Sequence, residues 1–275
     1  DIITTLTTYG TDYAPANVKI KLPALNTQLT ALASANTAVT TAYGAYKPAK
    51  DNRQAQYADL KDRSNRIKDS VKSQYTTAFP LLQAQGVKAT FFTQTNVVDM
   101  AGRLSWANLT EMHNAGMDLQ CHTNSGTSLT LLDEAGVIAE LQTVNDAFTA
   151  HSLPVPLHIA YPQGEVNDDV EGWIRESGLR VSGREALPYV PQYPYSNKMR
   201  MKSYSIDAIN AAGINTVKGV LDNCKYYKNA LIIYSHGVDG GATYITSAAL
   251  NEIIDYAQSI GVSIITMSEL YDLMS

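Results

Sequence analysis

The stretch Gly116–Thr127, with the sequence GMDLQCHTNSGT, gives the first indication of the fold, because it contains a short β-type run that ends directly at a histidine. Met117–Cys121 has the length and composition of a buried strand, and His122 follows at once. Parallel α/β folds carry functional side chains just beyond the carboxyl ends of their strands. His122 is therefore a candidate site residue, since a neutral imidazole can bind zinc through one ring nitrogen.

Strand-like and helix-like runs alternate on both sides of this stretch, from Ala78 to the end of the chain. The predicted strands are Val87–Thr93, Met117–Cys121, Leu157–Ala160, Leu179–Ser182, Arg200–Ser203, Leu231–Ser235 and Val262–Thr266. The predicted helices begin at Ser105, at Leu132 or Asp133, and at Asn167, Ser205 and Ser247. Repeated alternation of this kind predicts an α/β fold with a parallel sheet, either open or closed into a barrel.

Residues 1–75 follow a different pattern, with apolar positions spaced by three and four residues. The first series is Leu22, Leu25, Leu29, Leu32, Val39, Tyr43 and Tyr46, and a second runs from Tyr57 to Leu81. Two such helices joined at Pro48 predict a long helical hairpin. The hairpin is either an attachment stalk through which the chain forms a homo-oligomer, or a cap packed on its neighbour. It divides the chain into domains 1–75 and 76–275.

The junction between the two domains is predicted to be helical. No glycine stops the helix Asp51–Tyr75, so we expect it to continue toward Leu82 with a kink at Pro80, whose ring clashes with the carbonyl four residues back. The abrupt change of pattern at Val71–Thr77 also leaves open a recombined or engineered chimera.

Composition excludes several classes of function. The formal net charge is -5 and there is no run of lysine or arginine, which disfavours a nucleic-acid partner. No apolar run reaches about 18 residues, so no membrane span is predicted. The two cysteines are too few for a disulfide framework.

Two further strand ends carry polar or turn-forming residues. Tyr161-Pro162-Gln163-Gly164 follows the strand Leu157–Ala160, and proline and glycine there indicate a fixed turn. His236 follows the buried strand Leu231–Ser235. Because parallel strands end at the same edge, we expect His122 and His236 on one face of the fold.

Five segments, taken in order, resemble the polysaccharide deacetylase family (NodB-homology fold, carbohydrate esterase family four). They are Phe79–Phe92, Leu104–Trp106 with His113–Asp118, Cys121–Ser125, Tyr161–Gly164 and Leu231–His236. Cys121–Ser125 lies where the family has a His-Ser/Thr-x-x-His metal motif, and Tyr161–Gly164 resembles its Arg-x-Pro-Tyr-Gly turn. The resemblance covers residues 76–275 and implies a distorted parallel (β/α) barrel, preceded here by the helical hairpin.

The resemblance also implies a function. Members of the family are hydrolases that remove acetyl groups from acetylated polysaccharides or oligosaccharides, with a divalent metal, usually zinc, held by an Asp-His-His set. A second aspartate is the general base, and a late histidine protonates the leaving amine. His122 corresponds to the first metal histidine and His236 to the catalytic acid. An extracellular, cell-surface or virion-associated location is implied as well.

The chain departs from the family at several of these positions. Gly126 stands at the second metal histidine, and the motif arginine falls near Ile159 or Ala160. The family's Thr-Phe-Asp-Asp-Gly segment is absent before Tyr75. Two of the three metal ligands and the base are thus missing at their expected positions, so we expect no tightly bound zinc and little or no turnover.

The missing segment includes the family's first strand, which leaves an open slot in the barrel. Ile2–Tyr9 or Asn17–Leu22 could fill it, and the first choice would bring Asp12 near the site as a catalytic carboxylate. The alternative is an open barrel whose gap is covered by a helix or by another subunit.

Candidate sugar-binding residues surround the same edge. The loop Pro188–Tyr195 is rich in proline and tyrosine, whose faces stack on sugars, although such a loop is equally a rigid connector. The predicted substrate-binding residues are Tyr161, Pro162, Arg184, Tyr193 and Tyr195. Two functions remain open: a deacetylase with an unusual site of His122, His236 and Asp12, or a non-catalytic glycan-binding or structural domain on a helical stalk, as in a viral tail appendage.

Overall fold

The computed structural model describes residues 27–38, 40–41, 72–186, 195–239 and 244–274. The chain divides into two compact units, Asp1–Asp59 and Leu60–Ser275. In the first unit, residues 27–38 and 40–41 are helical and lie within the first predicted hairpin helix. The second hairpin helix up to residue 71, the runs Ile2–Tyr9 and Asn17–Leu22, and the predicted boundary at residue 75 are not tested by the described residues.

The second unit is built on one parallel sheet. Its strands are β1 (Thr90–Thr93), β2 (Asp118–Cys121), β3 (His158–Ala160), β4 (Ser182–Glu185), β5 (Met201–Ser205) and β6 (Ile232–Tyr234). Among the described residues the strands lie side by side in chain order, and every neighbouring pair is parallel. The predicted parallel α/β architecture is confirmed.

The sheet curls so that its first and last described strands approach the same side chain. The guanidinium carbon of Arg184, on β4, lies 4.4 Å from the ring centroid of Tyr234 on β6 and 5.1 Å from that of Phe92 on β1. A flat sheet could not bring these three strands together, because neighbouring strands are about 4.8 Å apart. The unit is therefore a distorted parallel barrel with Arg184 on its inner face.

Helices connect the strands and cover the outer face. They are α1 (Phe79–Ala84), α2 (Trp106–Asn114), α3 (Glu134–Ala150), α4 (Asp168–Ser177), α5 (Ala211–Tyr227), α6 (Ser247–Ser259) and α7 (Met267–Leu273). Ser105, Asp133 and Asn167 cap α2, α3 and α4 with their side chains, as their residue types predict. The predicted start at Ser205 is wrong: Ser205 still pairs in β5, and Asn210 caps α5.

Two strand predictions need correction. Val262–Thr266 is irregular and leads into the Thr266 cap of α7; although it is apolar, no described strand borders β1 on its outer side. The strand predicted at Leu179–Ser182 instead begins at Ser182 and runs to Glu185. The local sequence does not predict this strand, because Gly183 and Arg184 do not favour strands by themselves. Contacts with residues distant in the sequence hold them there.

The junction before α1 is helical from Ser73 onward. Gln74–Ala78 forms a π-helical turn, in which the Phe79 N–H bonds to the Gln74 carbonyl five residues back. This wider turn leads directly into α1, where Pro80 lies at the first turn and needs no N–H donor. From Ser73 onward the chain is helical as predicted, and a π-turn just before Pro80 stands where the kink was expected.

A polar network closes the amino-terminal end of the sheet. The carboxylate of Asp118 accepts hydrogen bonds from Thr90 Oγ1, Gln120 Nε2 and the N–H and Oγ of Ser268 at the start of α7. This network fixes α7 across that end and leaves the carboxyl-terminal edge for a site.

Within the described residues, no helix combines the length and the apolar character that crossing a membrane requires.

Candidate functional site

His122 lies directly after β2, at the carboxyl-terminal edge of the sheet. Its side chain is buried, and Nδ1 lies 2.7 Å from the Ala160 carbonyl oxygen at the end of β3. Because a carbonyl oxygen only accepts, Nδ1 carries the proton and Nε2 is the basic nitrogen. Histidines that bind metals are commonly oriented by a hydrogen bond from the other ring nitrogen to a backbone carbonyl. His122 therefore has the orienting hydrogen bond expected of a metal ligand.

The position of the second metal histidine is filled in a different way. Gly126 has φ +73°, and a Cβ added there would lie 2.7 Å from Gln94 Oε1 and 2.8 Å from its Cδ. Gln94 is fully buried, and its Nε2 donates to the Ser125 carbonyl and to Asn96 Oδ1, both at 2.8 Å. The Gln94 amide therefore occupies the space that a side chain at position 126 would need.

The loop after His122 is held in a strained conformation. Thr123 is fully buried at φ +61°, which is rare for a β-branched residue, and its Oγ1 accepts from the Gly126 N–H. Glu140, on α3, accepts from the backbone N–H groups of both Asn124 and Ser125 at 2.9 and 2.8 Å. Strain of this kind persists only where the surroundings enforce it, and it concentrates at functional sites.

His236 forms the second part of the site with a carboxylate that the sequence interpretation did not identify. Its Nδ1 lies 2.5 Å from Asp207 Oδ2, and its backbone N–H donates to Asp207 Oδ1 at 3.0 Å. Ser235 Oγ also donates to Oδ1, at 2.6 Å. The aspartate fixes the ring so that Nε2 is the nitrogen available to a substrate, the geometry of a positioned general acid.

The electrostatics of this pair favour the charged carboxylate. Burial alone would raise the pKa of Asp207, but the hydrogen bonds and charge of His236, with help from Ser235, outweigh it and hold the pKa below its ordinary value. Since the folded-state pKa is depressed, the stabilisation is complete above the ordinary aspartate pKa. It is lost as the pH falls through the depressed value.

We expect Asp207→Asn to lower the free energy of unfolding by about 1–3 kcal/mol at pH 7, because an amide cannot accept all these bonds. The difference from the unsubstituted protein should shrink as the pH falls below about 4 and through the depressed pKa, beneath which the carboxylate is protonated in both states. Urea unfolding at pH 7 and at about pH 2 measures both effects. Asp146→Asn, an exposed change on α3, is the control and should change stability by less than about 0.5 kcal/mol at either pH. A pH-independent difference at Asp207 would contradict the assignment.

An aromatic and cationic cluster adjoins His236 on the inner face. The rings of Tyr234 and His236 are 5.7 Å apart and nearly perpendicular. Arg184 lies over Tyr234 and Phe92, as described above. The structure thus brings two predicted site residues, Arg184 and His236, next to the ring of one tyrosine, Tyr234.

Three predicted sugar-binding residues are instead in the core. Tyr161 is 1% exposed, and its ring contacts the position that a Cβ on Gly183 would occupy. Pro162 is buried in the same turn. Tyr195 is 8% exposed and packs with Met201. These side chains leave no free face for a sugar, so we assign them packing roles. Tyr193 and Asp12 lie outside the described residues.

The described donor set does not fit the zinc site of the family. His122 supplies one imidazole, Gly126 supplies no ligand atom, and Gln94 fills the space beside it. In the part of the chain that the structure describes, no group of three His, Cys, Asp or Glu side chains is arranged to hold a metal ion. A structural or catalytic zinc needs at least three protein ligands.

Comparison with known proteins shows a match to one family over part of the chain. Residues 66–182 match the family model described as polysaccharide deacetylase. None of the curated protein sequences compared with the chain matches it. The Xyl-CE4 domain of a multidomain xylanase from the hindgut metagenome of Trinervitermes trinervoides has a similar fold, with a TM-score of 0.53 and 17% sequence identity over 74% of this chain and 86% of that one.

Two further solved structures align less closely. A deacetylase from Streptococcus pyogenes is 21% identical over 50% of this chain, with a TM-score of 0.46, and the aligned part spans 60% of its own length. A family 4 carbohydrate esterase from Streptomyces lividans is 14% identical over 70% of this chain and 84% of its own, also with a TM-score of 0.46. The family-model match over residues 66–182 and the fold shared with the Xyl-CE4 domain confirm the resemblance inferred from the sequence.

Proposed function

We propose that this chain, in which residues 66–182 match the polysaccharide deacetylase family model, is a deacetylase-like domain that binds an acetylated polysaccharide and turns it over weakly or not at all. The observation that carries the proposal is the Gln94 side chain packed against Gly126. It replaces the second metal histidine by an amide, whereas the rest of the carboxyl-terminal edge keeps the polar and aromatic groups that a sugar needs.

The binding surface that we propose is the inner face beside His236. Tyr234 is partly exposed and offers an aromatic ring, and the side chain of His236 is 27% exposed with Nε2 directed away from Asp207. Arg184 adds a fixed cation behind the tyrosine. An aromatic ring flanked by hydrogen-bonding groups is the usual way in which a pocket orients a polar ligand.

Slow hydrolysis is the second candidate, and the intact Asp207–His236 pair favours it. His236, oriented by Asp207, could protonate a leaving amine in the way the family's late histidine does. The missing donors would have to come from residues outside the described part. Asp12 is one such carboxylate, and Asp69 is another, since it lies within the family-model match that begins at residue 66.

Titration calorimetry with an N-acetylated glucosamine oligosaccharide and its deacetylated form tests the main proposal. The acetylated form should bind, and Tyr234→Ala should weaken binding about tenfold, since stacking contributes about 1–1.5 kcal/mol. Tyr226→Ala, which removes an exposed tyrosine on α5, is the matched control and should leave the affinity unchanged.

Acetate release from the same oligosaccharide decides between the two candidates. We expect release close to the background of the uncatalysed reaction. Sustained release that is abolished by a chelator and by His122→Ala would establish the enzyme instead. Absence of binding to either form would overturn the glycan-binding proposal itself.

We also propose that the first unit promotes self-association, with an extracellular, cell-surface or virion-associated setting implied by the family. Leu32, one of the apolar positions of the predicted stripe, is 69% exposed in the chain. An exposed leucine on an apolar stripe supports a stalk that associates with copies of itself. Sedimentation equilibrium measures the oligomeric state directly.

A further inference from the structure

The amino-terminal end of the sheet carries a cavity that is separate from the candidate site. Its volume is about 580 Å³, and its lining includes Arg180 and Val181, just before β4, and Lys198, just before β5. His122 and His236 follow the opposite, carboxyl-terminal ends of their strands. We call this space the anion cavity, for the reasons that follow.

Arg180 is a buried charge that has no counter-ion among the residues that the structure describes. Its side chain is 2% exposed, and its hydrogen bonds go to Asn145 Oδ1 at 2.9 Å and to the backbone carbonyls of Leu141 and Leu179. All three partners are neutral, and Nε has no hydrogen-bond partner. Fully buried arginines are almost always paired with an acid, so an unpaired one calls for a missing ion or ligand.

Two further cations line the same cavity. Lys198 Nζ lies 4.6 Å from the ring centroid of Tyr271 and forms no ion pair with any described residue. Arg175 is 61% exposed and pairs with Glu171, which it shares with Arg200. No aspartate or glutamate is among the described residues that line the cavity. The described lining is therefore cationic, and two of its three charges have no acidic partner among the described residues.

We propose that the anion cavity binds an oxyanion, a carboxylate or a phosphate group, with Arg180 and Lys198 supplying the charge. Guanidinium and ammonium groups hold such oxygens by charge-assisted hydrogen bonds, which are about twice as strong as neutral ones. The volume is large enough for a charged sugar unit or a phosphate ester. The two sources are an acidic unit of a polysaccharide and a free or esterified phosphate.

Titration calorimetry of the full chain at constant ionic strength tests this site with three probes: inorganic phosphate, a glucuronic-acid oligosaccharide and a neutral glucose oligosaccharide. We expect one oxyanion per chain and no binding of the neutral probe. Lys198→Gln should weaken oxyanion binding about tenfold, the loss of one charge-assisted bond, and Lys198→Arg should restore most of it. Lys225→Gln, an exposed change on α5, is the matched control.

The results distinguish the two sources of the oxyanion, an acidic glycan and a phosphate group. They also decide whether the cavity binds an oxyanion at all. Binding of phosphate alone assigns the cavity to phosphate groups, and binding of the glucuronate probe alone assigns it to acidic glycans; either result supports an oxyanion site. Failure of both anions to bind, or equal affinity in Lys198→Gln, overturns it. Arg180→Gln should abolish binding, but Lys198 decides the question if that variant does not fold. The result does not depend on whether acetylated glycans bind at the opposite edge.

Discussion

Replacing Gly164 by alanine is expected to lower the free energy of unfolding by about 3–5 kcal/mol, one of the largest losses that a single methyl group could cause in this chain. Gly164 ends the turn after β3 at φ +72°, where an L-residue is strained. Its Cβ would also lie 2.5 Å from the backbone nitrogen of Ala186 and 2.3 Å from its Cβ. Neither atom belongs to a flexible side chain, so the backbone after β4 would have to shift.

The variant Gly178→Ala separates the conformational strain of a left-handed L-residue from the steric collision of the added Cβ. Gly178 follows α4 at φ +66°, and a Cβ there would meet no atom within 4 Å. Only the conformational cost remains, about 1–2 kcal/mol. Urea unfolding measures the loss of unfolding free energy in both variants. The difference between the two losses is the steric contribution at Gly164. Equal losses would show that the strand ends β3 and β4 adjust freely and that the edge is less rigid than the contacts indicate.

Features set by local sequence were predictable. The capping residues Ser105, Asp133 and Asn167 satisfy backbone donors of their own helices, so their residue type alone marks the helix start. The positions of His122 and His236 followed from strand ends, which apolar runs also mark locally. These features need no knowledge of what lies across the sheet.

Features set by distant contacts were not predictable. Gly183 lies in β4 because the ring of Tyr161 packs where its side chain would be, and Arg184 lies there because Phe92 and Tyr234 receive it. Neither residue favours a strand by itself. The local sequence therefore favours a strand at Leu179–Ser182, and tertiary packing overrides this preference.

Two residues of the candidate site, Asp207 and Gln94, were not predicted from the sequence for a similar reason. Asp207 follows β5 by two residues, whereas the sequence predicts a strand end at Ser203, so Asp207 does not fall directly beyond the predicted end. The true end at Ser205 places it among the residues just beyond the strand. The role of Gln94 depends on the left-handed backbone of Gly126, and no local pattern in either segment indicates that they meet.

Zinc affinity is expected to rise at least about 100-fold in the double variant Gln94→Ala/Gly126→His, because it supplies the second imidazole and the space for it. Histidine tolerates the left-handed conformation of position 126 better than most residues. His122 already has the tautomer and orientation of a metal ligand through its bond to the Ala160 carbonyl. The unsubstituted protein, with one imidazole among the described donors, should retain only substoichiometric zinc after dialysis.

The two single variants show whether the space or the ligand is limiting. Gly126→His alone should bind no more zinc and should lose stability, since its side chain collides with the buried Gln94 amide. Gln94→Ala alone opens the space but adds no donor, so its zinc content should stay at the level of the unsubstituted protein. Elemental analysis and competition with a chromogenic chelator measure all four proteins. Stoichiometric zinc in the unsubstituted chain, lost in His122→Ala, would mean that carboxylates such as Asp12 or Asp69 complete a site without the second histidine, and the family's chemistry would then be open to this domain.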